Sequence, residues 1–366
     1  MSQVEVDKII PQSGTTLTVG DSGDTVTFTS GANLSVDGTI KLDGNFPTGT
    51  RNLAYGNTAL DDGSLSGSDN VAIGHAALTA NTSGANNTAI GSKTLQANTT
   101  AGTNTAVGTC SLATNSTGSL NTAVGGNSLR FTTTGSQNAS FGVNALEANT
   151  EGDNNTAIGV SALGVNTTAN NNTAVGHSAL AANETSNNTA IGFCALKTNT
   201  TGADNTSVGC GALSLNTTGA DNTSVGNNSL KSNTTGASNV AMGRRALCTN
   251  TTGGNNTAFG TCALRSNTTA NNNTAVGRHA LAANTTADNN TAVGKDSLIA
   301  NTTGSELVGV GLQSLNCNTT GQKNVAVGVN ALCANTTACC NTAVGHVAMT
   351  ATTTGCRNVA VGAGAL

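Results

Sequence analysis

Four histidines, ten cysteines and a thin scatter of carboxylates are the residues of this chain with chemistry to offer. His75, His177 and His346 each follow a glycine in the same local setting, and His279 lies one place further on. In a three-fold assembly such a residue could supply one ligand per chain to a metal on the axis. Other copies of that position hold Thr, Val, Phe, Arg and Lys. That is the tolerance of an outward or rim position, so no metal site is assigned. Glu147, Glu151, Asp153, Asp204 and Asp221 could be drawn on for the paired carboxylates of a glycosidase. They read as sparse and out of register, whereas catalysis needs polar groups that converge in a pocket. Aromatic platforms for sugars are almost absent, with no Trp, one Tyr and six Phe. The expectation is a chain with no catalytic residue and no cofactor, not an enzyme.

The cysteines are Cys110, Cys194, Cys210, Cys248, Cys262, Cys317, Cys333, Cys339, Cys340 and Cys356, without CxxC pairs. Small half-buried thiols in a reducing cytosol fit that scatter better than a disulfide framework. Cys339 and Cys356 stand apart from the rest. Each lies 11 residues after a repeated glycine, so the two are expected to stack in adjacent coils, about 4.8 Å apart and within disulfide range for Cα atoms. They are expected to be reduced on assembly and open to oxidation outside the cell.

What must position all these residues is a repeat. Asn-Thr-Ala-Val-Gly-x-x-Ala-Leu-x-x-Asn-Thr-Thr-Gly returns every 17 residues from about Arg51 onward. Its register is carried by Gly56, Gly74, Gly91, Gly108, Gly125, Gly142, Gly159, Gly176, Gly192, Gly209, Gly226, Gly243, Gly260, Gly277, Gly294, Gly311, Gly328, Gly345 and Gly362. Sixteen of the 18 intervals are 17 residues; one is 18 and one is 16. Both exceptions fall between the Leu of one copy and the Asn-Thr-Ala of the next, which marks that segment as a turn. A fixed period of this kind is the signature of a solenoid.

The residue before the key Gly is Val, Ile, Phe, Met or Tyr in every copy, and Leu, once Met349, follows four residues after it. A period of 17 cannot keep one helical face in line, and Gly and Asn recur throughout. The expected coil is a strand through Asn-Thr-Ala-Val, a bend at Gly, a second short extended piece through Ala-Leu and a turn at Asn-Thr-Thr-Gly. Both chain prolines, Pro11 and Pro47, lie outside the array, as a hydrogen-bonded ladder requires. The fold class is therefore all-β, a parallel β-solenoid of about 18–19 coils. Because the Val and the Ala beside it point to opposite faces, the strand is expected to be buried on both, with Val and Leu as the core of each coil. The second packing surface would come most simply from identical parallel chains. Asn is expected both in left-handed turns and in stacked amide ladders, which accounts for the many Asn-x-Thr sequons without glycosylation.

Residues 1–50 follow another rule. Thr16-Leu17-Thr18-Val19, Thr25-Val26-Thr27-Phe28 and Asn33-Leu34-Ser35-Val36 read as short strands joined by tight turns. The chain divides into this β-rich N-terminal region, 1–50, and a repeat shaft, 51–366. Net charge is −4 with a pI near 5.5, so neither nucleic acid nor anionic lipid is an expected partner. The start is acidic, without an apolar h-region, and no run approaches the length of a membrane span. No membrane insertion is expected. The last copy stops at Leu366, the Leu of the register. That predicts an end matured by cleavage or one covered by a partner or by the other chain ends.

Asp69-Asn70-Val71-Ala72-Ile73-Gly74, Ser238-Asn239-Val240-Ala241-Met242-Gly243 and Lys323-Asn324-Val325-Ala326-Val327-Gly328 resemble the head repeats of trimeric autotransporter adhesins. The 17-residue form with Ala-Leu-x-x-Asn-Thr-Thr-Gly is similar to repeats in phage tail fibre proteins, and Val6 to Gly20 resembles the starts of such fibres. The resemblance implies a left-handed β-roll in a parallel homotrimer. It also implies a non-enzymatic virion fibre, assembled in the host cytoplasm and then extracellular. The N-terminal region would join a tail or baseplate protein, and the shaft would carry a surface toward a host receptor, glycan or protein. The alternative is a cellular surface adhesin or extracellular filament subunit.

Overall fold

A computed structural model of the chain describes residues 51–366; the strands and the attachment region expected over 1–50 lie outside them. The described residues form an all-β parallel solenoid. Nineteen three-residue strands run from β1 (Leu53–Tyr55) and β2 (Val71–Ile73) to β19 (Val359–Val361), each paired in parallel with the strand one coil on. Register is held residue for residue: Thr206 faces Thr223, Ser207 faces Ser224 and Val208 faces Val225. The 18-residue and 16-residue intervals leave pairing undisturbed, with Tyr55 still opposite Ile73 and Val175 opposite Ile191. The length change is absorbed in the turn, as expected. At about 4.8 Å per step, the 18 steps make a shaft of about 86 Å. No helix among the described residues is long and apolar enough to cross a membrane.

The key glycine is fixed by both conformation and space. Gly243 has φ +132°, and a Cβ there would lie 2.7 Å from the carbonyl carbon and oxygen of Gly260 in the next coil. No L side chain fits that row.

After the glycine the structure departs from the expected extended piece. The chain makes consecutive turns, closed in one coil by Ala77 N–H to Gly74 C=O (3.4 Å) and Asn81 N–H to Leu78 C=O (3.2 Å). The repeated Leu sits in the left-handed region, Leu78 at φ +51° and Leu213 at +48°. Such a conformation costs roughly 1–2 kcal/mol for an L residue. It turns the side chain into the interior, where complete burial returns roughly 1.5–3 kcal/mol, and Leu213 N–H still reaches Ser229 C=O at 3.0 Å. Burial outweighs strain, and an unbranched Cβ keeps the strain tolerable.

The interior also differs in content. The middle residue of the strand, Ala in most copies, is buried from β2 to β19, while the residues on either side of it are not. The core of most coils is Ala, Ala or Ser, and Leu. The Val that was expected inside lies on the outer face.

Candidate functional surface

Two rows of asparagine fill the rest of the interior. In the row that opens the strand, Asn70 Oδ1 accepts from Asn87 N–H at 3.0 Å and from Asn87 Nδ2 at 3.1 Å. Asn87 Nδ2 also donates to Ala101 C=O at 2.9 Å. In the row after the Leu, Asn98 Nδ2 donates to Asn81 Oδ1 (2.8 Å) and to Ala101 C=O (3.1 Å). Both rows are fully or almost fully buried. The amide ladders are thus as expected, but the left-handed asparagines, such as Asn86, Asn127 and Asn228, are different residues on other rows. The acceptor of each Asn-Thr-Thr sequon, Asn98 for example, is buried and already bonded.

Five buried polar side-chain atoms lack a partner: Asn115 Oδ1, Thr132 Oγ1, Asn166 Oδ1, Asn172 Nδ2 and Asn335 Oδ1. Each marks a break in a ladder. Thr132 and Thr352 stand where the next Asn would donate to Asn115 and Asn335. In the 16-residue coil Asn183 Nδ2 turns to Thr185 C=O and leaves Asn166 Oδ1 without its donor, while Asn172 Nδ2, at the same short coil, is also unmatched. Their cause is structural, and none of these atoms is aimed at a ligand.

The sequence-predicted site residues fall into place around this interior. The repeated glycines, Gly74 through Gly362, line one edge of the sheet at φ +124° to +145°. Cys339 and Cys356 stand in adjacent coils, with Cys339 N–H donating to Cys356 Sγ at 3.2 Å, and both thiols are free. Cys333, in the coil after Cys317 and one register position earlier, accepts Cys317 N–H on its carbonyl (3.0 Å) and has its thiol pushed up by burial, with Cys317 adding to the shift.

His75, His177 and His346 are exposed, and among the described residues no group of three or more His, Cys, Asp or Glu is placed to hold a metal. Asp204 and Asp221, read as out of register, occupy the same position of adjacent coils at φ +57° and +58°. Both are exposed to solvent rather than gathered in a pocket.

The outer surface carries two features with the reach to do something. One is apolar: the residue before each key Gly faces out along the whole shaft, with Tyr55 71% and Phe259 54% exposed. It is broadest where the residue after the Gly joins it, at Phe141, Val143, Ile158, Val160, Ile191 and Phe193. His177 stacks on Phe193 there, ring centroids 5.5 Å apart and 19° from parallel. The other feature is basic. Six of the 14 Lys and Arg fall between 231 and 295, namely Lys231, Arg244, Arg245, Arg265, Arg278 and Lys295. The whole-chain charge gave no sign of this, though the uneven spacing of Lys and Arg along the repeats would have.

No protein-family model matches the chain, and no curated protein matches it either.

Proposed function

We propose that this chain is a structural, non-enzymatic virion fibre of the phage tail fibre kind, whose left-handed coils stack in a parallel homotrimer and whose shaft holds a host-contacting surface away from the particle. The observation that carries this reading is the outer apolar row. It runs unbroken beside the glycines for all 19 strands, on a face that nothing else in the described residues covers. Contiguous apolar surface on that scale marks a contact with another body. A partner that meets every coil alike must share the coil repeat, and a second and third copy of this chain, in parallel and in register, do so. The N-terminal region, residues 1–50, would join a tail or baseplate protein. Host attachment, through a glycan or protein receptor, falls to the shaft.

Two checks test the function. Antibody raised against residues 51–366 is expected to decorate fibres on intact particles in electron micrographs, and the neighbouring genes are expected to encode tail and capsid proteins. Decoration of cell surfaces alone, beside a gene for a secretion barrel, would give the protein to the cellular adhesins instead.

A further inference from the structure

Of the six Lys and Arg concentrated between 231 and 295, Lys231, Arg245 and Arg265 border a trough. Lys231, Cys248 and Arg265 occupy one row in three successive coils, which places Lys231 and Arg265 about 10 Å apart along the shaft. Arg245 rises opposite them from the row two residues after the key Gly. With Asn228 and Thr249 they line a groove of about 230 Å³. A second groove of about 220 Å³, lined by Arg265, Ser266, His279 and Ile299 among others, continues it past Arg265. Lys231, Arg245 and Arg265 are exposed and have no ion-pair partner among the described residues. Carboxylates appear only at the far end. Asp296 Oδ1 lies 3.4 Å from His279 Nδ1, and its Oδ2 lies 3.6 Å from Lys295 Nζ. Along the trough, the unneutralised charge therefore lies in the coils before Asp296.

Three free cations at coil spacing, with amide and hydroxyl groups between them, suit a ligand whose anions recur along a line. We infer that this trough binds a linear acidic polysaccharide lying along the shaft, its carboxylates or sulfates paired with Lys231, Arg245 and Arg265 and its hydroxyls met by Asn228, Thr249 and Ser266. An extended sugar chain advances by a distance of the same order as one coil with each ring, so successive rings meet equivalent positions. Arg in particular makes forked hydrogen bonds to carboxylate and sulfate oxygens. Single-stranded nucleic acid offers anions too, but its binding grooves add aromatic side chains on which bases stack, and the residues lining this trough include none but His279. The inference rests on the reading of the shaft as a host-contacting fibre and gives the receptor its chemical class.

The test uses the full chain and four immobilised probes: alginate for carboxylates, chondroitin sulfate for sulfates, neutral dextran, and oligodeoxythymidine. The variant is Lys231→Ala, Arg245→Asn, Arg265→Ala. Each substitute already stands in the same row elsewhere, Ala at 181 and 282 and Asn at 228 and 330, and Asn suits the φ of +59° at Arg245. The control is Lys93→Ala, Lys197→Ala.

Wild type is expected to bind at least one acidic polysaccharide at least tenfold more tightly than dextran, with affinity falling as salt rises. Which of the two is preferred identifies the anion. The triple variant is expected to lose at least tenfold while the control keeps full affinity. The inference is overturned by equal affinity in the triple variant, by binding to neither acidic polymer, or by tighter binding of the oligonucleotide. Decoration of particles by antibody is read independently, so a failed trough and a failed fibre reading give different results.

Discussion

The two faces of one three-residue strand obey different rules. Inward, the middle residue is Ala, Ser or Gly in every copy and is buried from β2 to β19. The reason lies inside the chain: the space is filled by the Leu, by the small residue before it and by two asparagine ladders, and nothing larger fits. Outward, the residue before the Gly is half-buried or exposed, and no packing within the chain restricts its size or polarity. Yet it is Val, Ile, Met, Phe or Tyr in all 19 copies. The row just after the Gly drifts through Thr, His, Arg, Asn and Gly as well as Val and Phe. A row that is free to vary and stays apolar is governed by something beyond the single chain, whereas the inward row is governed by the coil itself.

The comparison is broken most severely by Gly243→Val. The branched side chain would be forced onto the Gly260 carbonyl in a backbone region closed to it. No cooperatively folded shaft is expected, and circular dichroism of the purified variant checks this. Asn216→Ala comes next. It removes the donor to Asn199 Oδ1 and Gly219 C=O and the acceptor of Asn233 Nδ2, all at 2.8 Å. Each orphaned buried group costs roughly 1–3 kcal/mol, so amide exchange in the coils around Gly209 is expected to accelerate markedly while distant coils keep their protection. The smallest effect is a gain. Thr132→Asn closes the ladder between Asn115 and Asn149, pairing Asn115 Oδ1, and is expected to slow local exchange by an amount equivalent to about 1 kcal/mol.

Much of this fold is legible in the sequence because stacking converts period into register. The 17-residue spacing of the glycines, the Thr-Ala-Val strands and the harmless length changes at 61–69 and 184–187 all follow from it. Two things are not legible. Leu78 and its equivalents adopt a left-handed backbone that Leu rarely takes, so residue type pointed to an extended piece where the chain makes turns. Alternation along the strand shows that Val and Ala face opposite ways, but not which faces in; that is decided by the Leu, whose side chain leaves room only for Ala. The ladder breaks at Thr132 and Thr352 can be seen in the sequence once the two Asn rows are aligned. The basic trough is harder to see, because Arg245 stands on a different row from Lys231 and Arg265 and the three meet only when the coil is folded.

The central claim is that the outer row is covered by identical chains, and the solution mass of the intact protein at micromolar concentration tests it most directly. A particle of three times the 35.7 kDa chain mass is expected, dissociating when outward residues such as Ile158 and Val175 are changed to Lys while the coils stay folded. A folded, stable particle with the mass of one chain would contradict it.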